Sequence, residues 1–225
     1  MSPRVVALVP ARNEGDRVGA TVAALRAVPA LSEVVVIDDG SSDGTASEAL
    51  AAGATVLQIR SHVGKGRALE GALTRLPPPD VWLLADGDLI ETAAELAAVL
   101  EPVVAGRADL AIAVFPPARG AGFGLVKRFA AAGIRVLCGF RAAEPLSGQR
   151  AISAAALSAC RPVARGFGVE TAMTIDAVRA GMRVEEVPVT LAHRPTGRSL
   201  SGFAHRGRQG LDIFLALVPR AVGLR

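Results

Sequence analysis

Residues Val34–Thr45 read V-V-V-I-D-D-G-S-S-D-G-T. A β-branched run favours a strand, and this one ends in two adjacent carboxylates, Asp38 and Asp39, followed at once by a small flexible turn. Asp43 comes next, and then a helix-forming run. A second strand, Val81–Ala85, also ends in carboxylates, Asp86 and Asp88, with one glycine between them. Ligands of open α/β sheets gather outside the carboxyl ends of strands. A hard divalent cation takes oxygen ligands and shares them with phosphates. Two acidic strand ends in one α/β chain therefore predict a site for a nucleotide and a divalent metal.

The rest of the chain supplies the α/β frame. Val5–Val9 is a continuous apolar run, as a strand buried on both faces requires, and Pro10 ends it. Val18, Val22 and Leu25 give helical spacing over Asp16–Ala27. Strands are predicted at Thr55–Ile59 and Leu110–Val114, and helices at Gly64–Leu76 and Thr92–Ala105. Asp43 and Thr45 are candidate caps for a helix running to about Ala52. Strands alternating with helices at this spacing predict a mostly parallel central sheet flanked by helices. Beyond Val114 the pattern changes. Phe115–Gly124 reads as a loop, Leu125–Leu137 as a helix, Ser147–Ile152 as a strand and Ala154–Ala159 as a short helix. Phe167–Ala180 is a helix ended by Gly181. Pro188 interrupts the strand from Val184 to Leu191 and places it near an edge or a bulge. Arg194–Gly202 is a polar loop, and Leu211–Val218 closes the chain as an apolar helix.

A chain of 225 residues carries one substantial domain. We divide it into a nucleotide-binding half over residues 1–114, an acceptor and donor-sugar half over 115–202, and a C-terminal helix over 203–225. There is no tyrosine and Trp82 is the only tryptophan, so a base-stacking surface for nucleic acid is poorly supplied. The formal charge is +4 and the excess is uneven. Arg194, Arg198, Arg206, Arg208, Arg220 and Arg225 face only Asp212. A basic end beside an acidic centre suits a phosphorylated substrate or an anionic membrane surface; solvated arginines of an arginine-favouring composition are the plainer alternative. Cys138 and Cys160 fit neither a zinc pattern nor C-x-x-C, and read as buried free thiols in a reducing cytoplasm. The sequence shows no signal-peptide pattern and no apolar run long enough to span a bilayer.

Four short segments carry the chemistry. V-P-A-R-N-E, Val9–Glu14, lies where the first strand meets the first helix, and its backbone and polar groups can hold a nucleobase or ribose. As a plain helix start, Asn13 would be the cap and Glu14 would suit the helix dipole. Asp38 and Asp39 repel each other unless something neutralises or hydrogen-bonds them, which argues for a ligand or donors at that strand end. G-K-G-R-A, Gly64–Ala68, opens a helix; Lys65 can approach a phosphate and the glycines permit close backbone contact, although the P-loop spacing is absent. In A-D-G-D-L, Ala85–Leu89, an extended backbone would turn Asp86 and Asp88 to one side, where both could serve one Mg²⁺ or Mn²⁺.

These four segments, in this order and at these intervals, resemble the family-2 glycosyltransferases of the GT-A fold. The likeness is nearest to members of the dolichol-phosphate-mannose-synthase and glucosyl-3-phosphoglycerate-synthase kinds, strong over the first half of the chain and weaker beyond. The resemblance implies a nucleotide-diphospho-sugar transferase domain. Pro10, Ala11, Asn13 and Glu14 would line the nucleoside pocket, Asp39 would hold the base or ribose, and Lys65 and Asp86 would lie by the nucleotide. Asp86 and Asp88 would form the D-x-D motif, with Asp88 the direct metal ligand. Many polyprenyl-phosphate members carry glutamine after that leucine where this chain has Ile90, and His193 is the candidate replacement ligand. L-S-G-Q-R, Leu146–Arg150, resembles the segment bordering donor sugar and acceptor, which puts Gln149 and Arg150 there. G-F-G-V-E, Gly166–Glu170, resembles the acceptor-facing helix start, and Glu170 would position the acceptor or act as general base toward a hydroxyl. Arg194 and Arg198 would close over the diphosphate or bind an acceptor phosphate.

The expected reaction is a metal-dependent transfer of a sugar from a UDP- or GDP-linked donor to a phosphate- or hydroxyl-bearing acceptor, such as a polyprenyl phosphate or a small phosphorylated acid. Two rivals are a sugar-phosphate nucleotidyltransferase, which would normally carry a glycine-rich loop that Ala11–Gly15 lacks, and a non-catalytic nucleotide-binding partner protein. The expected location is the cytoplasm, peripheral to the inner membrane face if the acceptor is a lipid, with a homodimer among the possible states.

Overall fold

The computed structural model describes residues 2–115, 124–190 and 200–223, the last stretch in side-chain detail from residue 209 onward. Seven strands form one sheet: β1 (Val5–Ala11), β2 (Glu33–Asp39), β3 (Thr55–Ile59), β4 (Val81–Leu84), β5 (Leu110–Val114), β6 (Arg150–Ser153) and β7 (Val184–Pro188). Their spatial order is β3-β2-β1-β4-β6-β5-β7. All neighbours run parallel except β6, which is antiparallel to both β4 and β5. The sheet is therefore mostly parallel, as the alternation of elements predicts. The helices are α1 (Val18–Arg26), α2 (Thr45–Ala51), α3 (Lys65–Arg75), α4 (Ala97–Val104), α5 (Leu125–Cys138), α6 (Ala154–Ala159), α7 (Val169–Arg179) and α8 (Leu200–Ala221). Tight 3-10 turns over Ile90–Leu96 and Gly166–Gly168 lead into α4 and α7.

Alternation along the strands splits the core in two. Val5, Ala7 and Val9 of β1, with Val34 and Val36 of β2, pack toward α1 and α4, while Val6, Leu8, Val35 and Ile37 pack toward α3, α6 and α7. This is why β1 and β2 read as unbroken apolar runs: both faces are covered. Trp82 is part of the second layer and offers no surface for stacking. A third, smaller cluster joins Ala130 and Ile134 of α5 to Ile175 of α7 and to Ile213 and Leu217 of α8.

The connectivity reverses between β1 and β4, with β2 and β3 on one side and β4 onward on the other. That reversal opens the crevice where doubly wound sheets bind ligands. Pro188 ends β7, an edge strand, so its missing N–H breaks no interior ladder.

Candidate active site

The loops after β1, β2, β3 and β4 meet at the carboxyl edge of the sheet. Asn13 adopts a left-handed conformation (φ 54°), tolerated by asparagine more readily than by most residues. Its backbone N–H donates to Ser41 Oγ at 3.0 Å, and its Oδ1 accepts from the Ser42 N–H at 2.9 Å. Asn13 thus ties the β1 loop to the β2 loop and is not the cap of α1, which begins after Arg17. Glu14 N–H donates to Thr45 Oγ1, and Gly15 N–H to Asp43 Oδ2. Asp43 also accepts from the Thr45 N–H, one residue ahead of the capping position occupied by Gly44. Pro10 and Ala11 are the last residues of β1, in register with Ile37 and Asp38.

The two acids ending β2 are both buried, and both are satisfied by the protein. Asp38 Oδ1 accepts from the Ser41 N–H at 3.0 Å. Asp39 accepts from the N–H groups of Val63 and Gly64, each at 2.8 Å, and lies 2.8 Å from His62 Nδ1. These donors offset the repulsion expected of adjacent carboxylates. Asp39 therefore organises the β3–α3 loop, and any base or ribose it holds must share it with those donors.

His62 escaped the sequence reading. A lone histidine three residues before Lys65 carries no periodic signal, and only the fold brings it to Asp39. Its side chain is 42% exposed, so part of the imidazole remains open to solvent beside Asp39.

One residue past Gly64, Lys65 opens α3 and crosses to β4. Lys65 Nζ lies 2.9 Å from Asp86 Oδ1 and 2.8 Å from Glu170 Oε1. Burial works against its charge, but Asp86 and Glu170 together hold its pKa above the ordinary lysine value. Gln149 Nε2 donates to the other oxygen of Asp86 at 2.6 Å. A Cβ on Gly148 would stand 2.6 Å from Lys65 Nζ and 2.9 Å from Asp86 Oδ2, so any side chain there would displace this pair. Gly66 has the same constraint below: a Cβ there would lie 2.0 Å from the Ala164 carbonyl oxygen.

Asp86, Gly87 and Asp88 do not continue β4 as extended chain, because Gly87 and Asp88 form a turn. The expectation that alternation alone aligns the two carboxylates is therefore corrected. The turn is pinned from α1: Thr21 Oγ1 donates to the Gly87 carbonyl at 3.0 Å and accepts from the Ile90 N–H at 2.8 Å. Gly87 sits where a Cβ would meet Ala11 Cβ at 3.1 Å, which joins this turn to the β1 loop across the switch point. Asp86 is spent on Lys65 and Gln149. Asp88 is half-buried and makes no hydrogen bond or ion pair among the described residues.

Arg150 is 1% exposed. Its Nε donates to the Ser147 carbonyl at 2.7 Å and its Nη1 to Thr174 Oγ1 at 2.9 Å. Burial pulls its pKa down to about 10, with Glu170 opposing. Placed behind the cluster, Arg150 supports the Ser147–Gln149 segment and α7 instead of lining the crevice, contrary to the expectation that it borders the sugar. Gln149 is also buried, and reaches the crevice only through Asp86. Arg220 is likewise removed from the basic excess, because it is buried and paired with Asp176 of α7. His193, Arg194 and Arg198 lie outside the described residues. Cys160 is buried and Cys138 half-buried, both as free thiols.

The fold has clear counterparts among known proteins. Residues 6–145 match the family model described as glycosyl transferase family 2. The chain belongs to that family. It is 30% identical over 224 residues to the glycosyltransferase AglJ of Haloferax volcanii, spanning 96% of this chain and 72% of that protein. It is 31% identical over 219 residues to an undecaprenyl-phosphate mannosyltransferase of Micrococcus luteus, with 87% and 86% covered. The crystal structure of glucosyl-3-phosphoglycerate synthase from Mycobacterium tuberculosis in complex with Mn²⁺, UDP and glucosyl-3-phosphoglycerate superposes with a TM-score of 0.80 at 26% identity, covering 97% of this chain and 80% of that one. This chain is thus a family-2 glycosyltransferase with a GT-A fold, as the four motifs imply. The nucleotidyltransferase and the non-catalytic partner drop away as readings of the whole chain.

Proposed function

We propose that this enzyme transfers a hexosyl group from a nucleoside-diphosphate sugar to a phosphate-bearing acceptor, a polyprenyl phosphate at the cytoplasmic face of a membrane. The similarity to an undecaprenyl-phosphate mannosyltransferase supports the acceptor class. Relatives of known structure carrying UDP with Mn²⁺ or Mg²⁺ support the donor class and the metal.

The observation that carries the reading is how the carboxylates are used. Asp86 and Glu170 are both engaged with Lys65, whereas Asp88 makes no hydrogen bond or ion pair among the described residues. A hard oxygen donor without such a partner, two residues beyond the carboxylate that Lys65 holds at the end of β4, fits a divalent cation shared with a diphosphate. Asp88 would hold the cation, with His193 as a further candidate. When bound, the cation would neutralise charge on the leaving diphosphate.

The protein's own groups complete the assignment. Pro10, Ala11, Asn13 and Glu14 frame the nucleoside, and Asp39 and His62 face its base or ribose. Lys65 supplies a fixed positive charge where the diphosphate leaves. The bond from the anomeric carbon to the diphosphate oxygen breaks, its electron pair departing with the nucleoside diphosphate, and an acceptor phosphate oxygen forms the new bond. That oxygen is already anionic, so no residue need remove a proton. Glu170 then keeps Lys65 in place. A hydroxyl acceptor would instead require Glu170 to let go of Lys65 and take the proton. Arg194 and Arg198 are proposed for the acceptor phosphate.

The test is thermal stability with UDP or GDP, with and without Mn²⁺, because a ligand that binds only the folded state raises the melting temperature. The reading requires a metal-dependent rise that Asp88→Ala abolishes, and nucleoside diphosphate release that depends on a polyprenyl phosphate. Release of pyrophosphate from a nucleoside triphosphate and a sugar phosphate would refute it.

A further inference from the structure

Helices α5 and α8 carry apolar side chains that the fold does not cover. On α5, Leu125 is 68% exposed, Phe129 41% and Val136 82%. On α8, Leu211, Phe214, Leu215 and Val218 are all exposed. Each set lies on one helical stripe, at spacings of three, four and seven residues. The stripes flank the line where the helices touch, because a Cβ on Gly133 of α5 would stand 2.6 Å from Leu217 Cδ1 of α8. The result is one apolar surface spread over two packed helices. Soluble monomers seldom leave so large a patch uncovered without a use for it.

The charge around it has one sign. Arg128 and Arg135 are exposed along the outer border of the α5 stripe, and neither has an ion-pair partner among the described residues. Helix α5 contains no acidic residue. From residue 209 onward the only carboxylate of α8 is Asp212, which turns inward to accept from the Phe167 N–H at 3.2 Å. No helix among the described residues is long and apolar enough to cross a membrane. An exposed apolar stripe bordered by arginines, without a spanning helix, has the composition of a surface that lies in a bilayer interface.

We infer that the outer face of α5 and α8 docks onto an anionic lipid bilayer. The geometry connects that face to the chemistry. The inner side of α8 clasps the turn Gly166–Gly168, where a Cβ on Gly168 would lie 2.6 Å from Ala216 Cβ. That turn leads directly into Glu170. A bilayer on the outer side of α8 is therefore about one helix diameter, ~10 Å, from the segment beside the reacting groups. A lipid-linked phosphate could reach the crevice without leaving its membrane. The inference deepens the lipid-phosphate reading and rests on it for the acceptor, but the docking itself is measured separately.

The experiment is sedimentation of the full chain with vesicles of phosphatidylcholine alone and with vesicles also containing phosphatidylglycerol. The wild-type chain partitions onto the phosphatidylglycerol vesicles. Phe214→Ser with Leu215→Ser removes binding to them. Arg128→Gln with Arg135→Gln weakens that binding by about fivefold for each arginine lost. Donor-induced thermal stabilisation, read on the same variants, stays at the wild-type value and shows that they are folded. Absence of vesicle binding by the wild-type chain, or variants that bind as it does, overturns the docking face while leaving glycosyl transfer standing. A dimer in light scattering that Phe214→Ser with Leu215→Ser converts to monomer assigns the face to a second copy and also overturns it.

Discussion

The Lys65 ammonium stands 2.9 Å from Asp86 Oδ1, and so joins the start of α3 to the end of β4. One residue earlier, Gly64 N–H donates to Asp39 Oδ2. The short segment from His62 to Lys65 therefore connects the acidic end of β2 to the acidic end of β4, and through Glu170 to α7. Four consecutive residues thus hold the ends of β2 and β4 and the start of α7 in register.

Lys65→Met tests this junction. Without the ammonium, Asp86 and Glu170 face each other with no shared cation. We expect a cost of about 2 kcal/mol, below the range for a fully buried pair because the Lys65 side chain is 29% exposed. Turnover should fall about 100-fold through the lost positive charge at the leaving group. The pH dependence has a definite sign. The folded-state pKa of Lys65 is raised, so its contribution is complete below the unfolded lysine value of about 10.4 and is lost as pH climbs toward the folded value. The gap in urea-unfolding stability between wild type and Lys65→Met should stay level from neutral pH to about 10 and shrink above that. A gap that closes on moderate alkalinisation would contradict the arrangement.

Asp39→Asn separates structural from ligand-binding duties at the end of β2. An amide has one acceptor oxygen and cannot serve both Val63 N–H and Gly64 N–H as the carboxylate does. Losing a charge-assisted hydrogen bond at a buried site should cost about 2 kcal/mol in chemical denaturation. His62→Ala removes only the more exposed partner and should cost less than about 1 kcal/mol. If the crevice reads the base through this pair, both variants weaken UDP or GDP binding, measured by calorimetry. Equal stability losses would show that His62 matters more to the loop than its exposure suggests.

Gly66→Ala is a steric test of how α3 meets the chain near Ala164. The added methyl would point at a backbone carbonyl, which cannot swing aside as a side chain can. Overpacking of this kind costs about 1–3 kcal/mol. The same change at Gly71, where a Cβ meets nothing within 4 Å, should stabilise the helix by up to about 1 kcal/mol. The two melting temperatures should move in opposite directions.

These outcomes mark what a linear reading could and could not supply. The strands Thr55–Ile59 and Leu110–Val114 and the helix Ala154–Ala159 were legible to the residue, because each is a short run with a glycine or a polar residue within two positions of its start: Gly53, Asp109 and Ser153. The meeting of Asp39, Lys65 and Asp86 at one sheet edge was legible because strand-end loops of an α/β sheet have few places to go. The antiparallel entry of β6 was not legible, since Arg150–Ser153 carries no direction. Arg150 looked like a substrate contact because motif position says nothing of burial; the fold turns it toward Ser147 and Thr174. Asp88 was expected beside Asp86 on an extended chain, and the turn at Gly87 appears only once Thr21 arrives from α1. His62 was missed because its partner lies 23 residues earlier in the chain.

Thr21 and Ile90 supply the sharpest test of that turn. Thr21 is completely buried, yet its hydroxyl both donates to Gly87 and accepts from Ile90. Thr21→Val keeps the shape of the side chain and removes the hydroxyl, leaving a carbonyl and an N–H without their buried partner. The cost should be about 2 kcal/mol. Because the turn presents Asp88, the metal concentration giving half-maximal turnover should rise as well. Ile90 is held at φ 48°, a left-handed conformation that a β-branched residue adopts at a penalty of about 1–2 kcal/mol. Asparagine tolerates that region, so Ile90→Asn should raise stability by up to about 1 kcal/mol without disturbing the Thr21 hydrogen bond, which uses the backbone N–H. Thr21→Val lowering both stability and metal response, with Ile90→Asn raising stability and preserving the response, is the pattern that a pinned and strained turn requires. Destabilisation by Ile90→Asn would mean that the Ile90 side chain contributes more to the turn than relief of its backbone strain returns.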